Sequence, residues 1–245
     1  MTLTRMDVEK VFRTVVQNCN GFVLDESLPF SPAFRNADFI FHMEKVVAEL
    51  KCLTDDNVYS EANQQKATAI LQEWHRQGKI ETTVLNETTW KKMPKILQTE
   101  LYRVFTVSIK RRIETANRQI RETKRELKLE DYAGILFFAN DGVLSIPPAA
   151  FIHATQLALQ RDYHEIRHFV YLTANVFTVV RNQPVPVLFW IAFDMQDGPR
   201  IDPAFLERLG RAWRRQSCRV MGAIGVEEDL QDVECFWNSR HIGKL

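Results

Sequence analysis

The chain has 245 residues, 45% apolar and 26% charged, with 32 basic side chains against 31 acidic ones for a formal net charge of +1. This is ordinary soluble globular composition, long enough to bury a sizeable core, and a balance this even means that any nucleic-acid partner must be met by a local basic patch. The four cysteines, Cys19, Cys52, Cys218 and Cys235, are far apart with no Cys-x-x-Cys pair, which points to free thiols and excludes a zinc ribbon or a disulfide frame.

The N-terminus, Met1 to Asp7, has no apolar run of the kind a secretion signal carries. The greasiest region, Phe169 to Phe193, is broken by Arg181-Asn182-Gln183-Pro184, and neither half reaches the ~20 apolar residues of a membrane helix. A cytoplasmic protein is expected. Thr4 or Asp7 should cap a first helix running to about Asn18, with Met6, Val11, Phe12, Val15 and Val16 as its apolar stripe and Asn20-Gly21 as its stop. Phe22-Val23-Leu24 reads as a short strand, followed by a Pro/Ser loop from Pro29 to Asn36. Two strands joined by a three-residue turn come next, Asn36 to His42 and Val46 to Cys52, closed by the turn residues Asp55-Asp56-Asn57.

A helix is expected from about Ser60 to Gln77, stopped by Gly78, and a long one from Pro94 as far as Leu129. In the long helix Ile109, Ile113, Ala116, Ile120, Thr123 and Leu127 define one buried face. Ala133 to Ala139 is a continuous apolar run ended by Asn140-Asp141-Gly142, a buried strand with a turn behind it. Pro147-Pro148 opens a helix to about Arg161, His168 to Thr173 and Val185 to Phe193 read as strands, and Asp202-Pro203 starts a last helix to about Gln216. Alternating helices and strands, with no internal repeat and no linker, indicate one α/β domain over 1–245.

The hairpin carries the chemistry. Strand side chains alternate with period two, so Glu49 and Lys51 share one face while Val46, Ala48, Leu50 and Cys52 share the other. A tight turn brings Asp38 alongside. The ribbon is otherwise apolar, as a central strand pair is, and charges in such a place are usually paired or functional. Two carboxylates and an ammonium converging there suffice to hold a divalent metal and an attacking water against a phosphodiester.

This order of elements, with Asp38 and Glu49-Leu50-Lys51 on the hairpin, resembles the PD-(D/E)xK nuclease superfamily, the restriction-endonuclease-like fold. The likeness in layout covers roughly the first 140 residues, and its specific part lies between Asn36 and Leu53; Ala37 stands where the family's proline precedes the acid. The resemblance implies a nuclease-like core over about 5–140, with a mixed central sheet and flanking helices, and a C-terminal α/β extension over about 141–245. It implies that Asp38 and Glu49 bind a magnesium or manganese ion, with the Leu50 carbonyl as an added ligand and Lys51 orienting the attacking water. Glu9 on the first helix would add a further contact, with Glu26 as its rival. The expected activity is hydrolysis of DNA with low sequence specificity, RNA being left open, and a single centre that cuts one strand would act on duplex as a homodimer or within a larger nucleic-acid-processing complex. The alternative is the same fold serving as a non-catalytic binding or assembly module in a nucleic-acid or defence complex.

Between Lys110 and Lys128 stand eight basic residues against three acids, and Arg111, Arg118, Arg121, Arg125 and Lys128 are spaced as a stripe able to bind phosphates without reading bases. By the same resemblance, Gln119 or Lys124 on this helix would stand near the scissile phosphate. One motif belongs to another class: His164-Glu165-Ile166-Arg167-His168 matches H-E-x-x-H, which on a helix binds zinc in a metalloprotease. Arg167 between the histidines and the strand-like Phe169 to Thr173 that follows argue against a helix there. His42, His75 and His153 have no partner spacing, though His42 shares the Asp38 face in strand alternation.

Overall fold

A computed structural model describes residues 3–27, 34–56, 60–180, 186–195, 200–222, 237 and 239–245. Most of the Pro29 to Asn36 loop, Asn57, the Arg181 to Pro184 break, the first residue of the Val185 to Phe193 segment and Cys235 lie outside them. Helix α1, Val8–Asn18, is capped by the Asp7 side chain, which accepts from the Lys10 amide at 3.0 Å. It ends where Asn20 takes a positive φ of 61°. Gly21 follows because the chain passes against Phe41 there: a Cβ at Gly21 would lie 2.5 Å from that ring. Strand β1, Phe22–Val23, is one residue shorter than expected, since Leu24 opens a single-turn helix, α2, Leu24–Ser27.

Strands β2, Phe39–Phe41, and β3, Val46–Leu53, form an antiparallel hairpin with Phe39 opposite Ala48 and Phe41 opposite Val46. Its turn has four residues, His42 to Lys45, not three, and Lys45 takes a positive φ of 52°. After α3, Glu61–Arg76, and α4, Glu87–Lys92, comes the 32-residue α5, Lys95–Glu126. It stops short of Leu129 because Leu127 caps it and Lys128 turns to φ 56°. Strand β4, Ala133–Asn140, is buried at all eight positions and pairs in parallel with the whole of β3. Helix α6, Pro148–Asp162, carries the chain to β5, Ile166–Thr173, again parallel. The remaining elements are β6, Val176–Val179; β7, Trp190–Asp194; α7, Pro203–Met221; and β8, Arg240–Lys244.

The main sheet has the order β1-β2-β3-β4-β5-β7, antiparallel on the hairpin side, parallel across β3, β4 and β5, and antiparallel again at β7. Strands β6 and β8 make a separate antiparallel pair; neither was expected, as both are short and β8 has one apolar side chain, Ile242, at its centre. Helices α5 and α6 cover one face, burying Ile109, Ile113, Ile120 and Phe151 against Ile40, Val47, Leu136 and Phe138. Helices α1 and α7 cover the other, burying Phe12, Val16, Leu209 and Trp213 against Phe39, Ala48, Ile135 and Phe137. A small third cluster, Ala67, Leu71, Met93, Leu97 and Leu101, joins α3 to the first turns of α5 away from the sheet. Among the described residues no helix is long and apolar enough to cross a membrane.

Phe12 is fully buried and meets the rings of Phe39, Phe137, Trp190 and Trp213 at centroid distances of 5.5, 4.8, 6.4 and 5.6 Å. It therefore ties α1 and α7 to the sheet, and Phe12→Ala should lower the unfolding free energy by about 3–5 kcal/mol in a denaturant titration.

Candidate active site

The charged centre sits where β2 and β3 part. The ladder between them ends at the Phe39–Ala48 pair, which leaves Asp38 opposite Glu49 with no backbone bond to β3, its carbonyl accepting instead from the Leu24 amide at 2.9 Å. Side chains take over. The Asp38 amide donates to Glu49 Oε2 at 3.1 Å, and the Leu50 amide donates to Asp38 Oδ2 at 2.8 Å. On the next rung Lys51 Nζ donates to Glu49 Oε1 and, at 2.9 Å, to Gln119 Oε1. Gln119 in turn donates through Nε2 to the Asn36 carbonyl at 2.9 Å, and four residues along α5 the Thr123 hydroxyl accepts from the Ala37 amide at 2.7 Å. Helix α5 thus holds the segment that carries Asp38 and sets the rotamer of Lys51.

Burial decides the electrostatics. Glu49 is fully buried and Asp38 partly so. The Glu49 carboxyl is pushed up to about 8, first by burial and then by the neighbouring Asp38 charge, against the pull of Lys51. Asp38 is also raised by burial, with the Leu50 amide and Lys51 opposing. Burial raises both carboxyls, the Asp38 charge raises Glu49 further, and one ammonium lies between Glu49 and Gln119. The hard carboxyl oxygens are the donor type that magnesium or manganese prefers. Among the described residues no cluster of three His, Cys, Asp or Glu side chains converges as a metal site, so an ion here would rest on Asp38 and Glu49 with backbone oxygen and water.

The other expected residues fall into two groups. Glu9 is exposed on α1, yet its charge reaches Asp38, after those of Lys51 and Asp25. Its rival Glu26 accepts from Arg13 and Gln17 on the surface. Gln119 is at the centre, whereas Lys124 is not: its ammonium pairs with Glu165 at 2.8 Å and is directed to the start of β5. Arg125 is tied to Glu126 at 2.6 Å. Arg111 and Arg121 are exposed, and Arg118 is half-buried with its Nε unpartnered among the described residues. At 100° per residue Arg111, Arg118 and Arg125 line up opposite the buried face, about a quarter turn from Gln119. The stripe therefore runs beside the centre and does not enter it.

Sequence reasoning passed over Arg112. It lies two turns before Gln119 on the same flank of α5, and its Nε donates to the Cys52 carbonyl at 3.3 Å, at the end of β3 just beyond Lys51. The seven-residue spacing from Gln119 was the available signal. The H-E-x-x-H segment is not helical: His164 and Glu165 form a bend, β5 begins at Ile166, and His168 is buried on the strand 3.8 Å from Asp194. His164 and His168 therefore share no helical face, which removes the geometry a zinc protease needs. No protein-family model, no curated protein and no solved structure matches the chain.

The folded protein keeps on Glu49 a proton that an unfolded chain releases near pH 4.5. That contribution to stability is complete below this value and is lost as pH rises through about 8. Glu49→Gln keeps the shape without the charge, so in thermal unfolding it should melt at least about 2 °C above wild type at pH 8, with the difference shrinking toward pH 5.

Proposed function

We propose that the chain hydrolyses phosphodiester bonds of DNA with the help of a divalent ion, magnesium or manganese, as a PD-(D/E)xK-like endonuclease of low intrinsic sequence specificity. The observation that carries this reading is the convergence of Asp38, Glu49, Lys51 and Gln119 from two strands and one helix into a single hydrogen-bonded centre. The sheet order lends support, since an antiparallel hairpin running into parallel β3, β4 and β5 is the arrangement a restriction-endonuclease-like core needs. When bound, the ion would activate the attacking water and neutralise charge developing at phosphorus. The residues supply the rest. Asp38, together with Glu49 once it releases its proton, would provide the negative charge that holds the cation. Lys51, its position set by Gln119, donates to the attacking oxygen as one P–O bond forms and another breaks. The exposed Arg111 and Arg121 and the half-buried Arg118 would hold flanking phosphates without reading bases.

A second reading keeps the same fold as a non-catalytic binding or assembly module. One observation favours it: Lys51 already occupies a Glu49 oxygen, so the centre is partly self-satisfied without an ion.

Supercoiled plasmid incubated with magnesium should be nicked by wild type. EDTA should abolish nicking, Lys51→Ala should lower the rate about 100-fold or more, and Gln119→Ala should lower it less. If wild type and Lys51→Ala are equally inert on single-stranded, double-stranded and RNA substrates with both metals, the catalytic reading fails and the binding module stands. For the stripe, Arg118→Glu with Arg121→Glu should weaken duplex binding and flatten its salt dependence by about two units of slope in a fluorescence anisotropy titration.

A further inference from the structure

Strand β7 closes one end of the main sheet and is bonded to β5 along one side only. Two bonds at its ends fix the direction of its backbone groups. The Phe189 carbonyl accepts from the Thr173 amide at 3.1 Å, and the Met195 amide donates to the Arg167 carbonyl at 2.9 Å, so the odd-numbered residues turn their backbone toward β5. The amides and carbonyls of Trp190, Ala192 and Asp194 therefore face outward, and among the described residues no strand pairs with them. The strand has no proline, no lysine and no bulge, the devices that commonly blunt a free edge. Ala192 and Asp194 are exposed. On the α7 side a cavity of about 530 Å³ opens beside the strand, and Trp190, Ala192, Leu206, Glu207, Arg211 and Arg214 are among the residues that line it. Arg211 pairs with Glu207 there, and Arg214 leaves the lining net positive.

We infer that β7 is the seam of a homodimer, pairing antiparallel with β7 of a second copy about a two-fold axis through Ala192. In that register Ala192 faces its own counterpart, and Trp190 of each copy faces Asp194 of the other. Trp190, Ala192 and Asp194 are alternate residues, so their side chains share the α7 side of the sheet. The carboxylate of Asp194 in the second copy is thus delivered beside Trp190. Helix α7 passes over that ring at Gly210, where a Cβ would lie 2.7 Å from Trp190 Nε1, and it brings Arg211 and Arg214 to the same cavity. This charge match selects a second copy over an unrelated extended peptide. The strand's one charge is an acid at one end, and the cavity beside its other end is basic, so the chain complements itself twice in each dimer. About six backbone bonds would form along the seam. Both candidate centres would then stand on the same side of one continuous sheet.

The seam does not depend on the nuclease reading, and its test uses no cleavage. Sedimentation velocity of the full chain should show a dimer at micromolar concentrations. Ala192→Pro removes the outward amide on the axis and leaves the bonds to β5 in place, so it should weaken the dimer at least about ten-fold. Asp194→Lys sets like charges together and should weaken it to a similar degree. Asp194 is exposed at the strand end, so its variant tests the seam even if Ala192→Pro does not fold. Ala192→Cys reads the register. Hydrogen-bonded neighbours stand about 5.5 Å apart at Cα, within reach of a disulfide, so oxidation should join two copies through position 192 in peptide mass spectrometry. A chain that stays monomeric, a dimer unchanged by Asp194→Lys, or Ala192→Cys copies joined only through the native cysteines would overturn the seam.

Discussion

The candidate centre depends on one exchange of partners, made where β2 leaves β3. A strand that stops pairing leaves backbone donors behind, and buried donors must be satisfied. Here the Leu50 amide turns to the Asp38 carboxylate, and the Asp38 amide turns to the Glu49 carboxylate. Each carboxylate is thus fixed by the backbone next to the other. Both are held at one rung of the hairpin, in a place where burial favours their neutral forms. Lys51 and Gln119 complete the arrangement from the second strand position and from α5.

Much of this was legible in the sequence, and the reasons are physical. Asp7, Asn20-Gly21, Ser60, Pro147-Pro148 and Asp202-Pro203 mark helix ends through local hydrogen bonding and backbone restriction, which need no tertiary context. The continuous apolar run from Ala133 to Ala139 reads as a buried strand, and β4 is buried at all eight positions. The alternation at Glu49 and Lys51 placed both on one face because the strand period is two. What the sequence left hidden was set at long range. β6 and β8 pair across more than sixty residues, and β8 has no apolar alternation to show it. Lys124 and Gln119 were equal candidates until the crossing of α5 over β3 chose Gln119 and sent Lys124 to Glu165. Arg112 went unnoticed because its partner is a backbone carbonyl, and no side-chain pattern announces that.

The basic stripe and the residues that reach the centre lie on different flanks of α5. The flank with Arg112 and Gln119 faces the strand ends, while Arg111 and Arg118 face outward and Arg121 is exposed beyond them. On the proposed reading, a phosphate chain following the outer line would pass over the flank to reach Lys51. One helix would then supply both the track and the stop, with the distance between them fixed by helical geometry, not by a loop.

Helix α5 has a further consequence. Its 32 residues span about 48 Å, and only the later part lies on the sheet. The earlier turns are held to α3 by a core of five buried side chains, none of which belongs to the two clusters that sandwich the sheet. The outlying helices and the sheet are thus two separately packed cores joined by one continuous rod, and the stretch of that rod on the sheet is the one that carries Gln119 to Lys51.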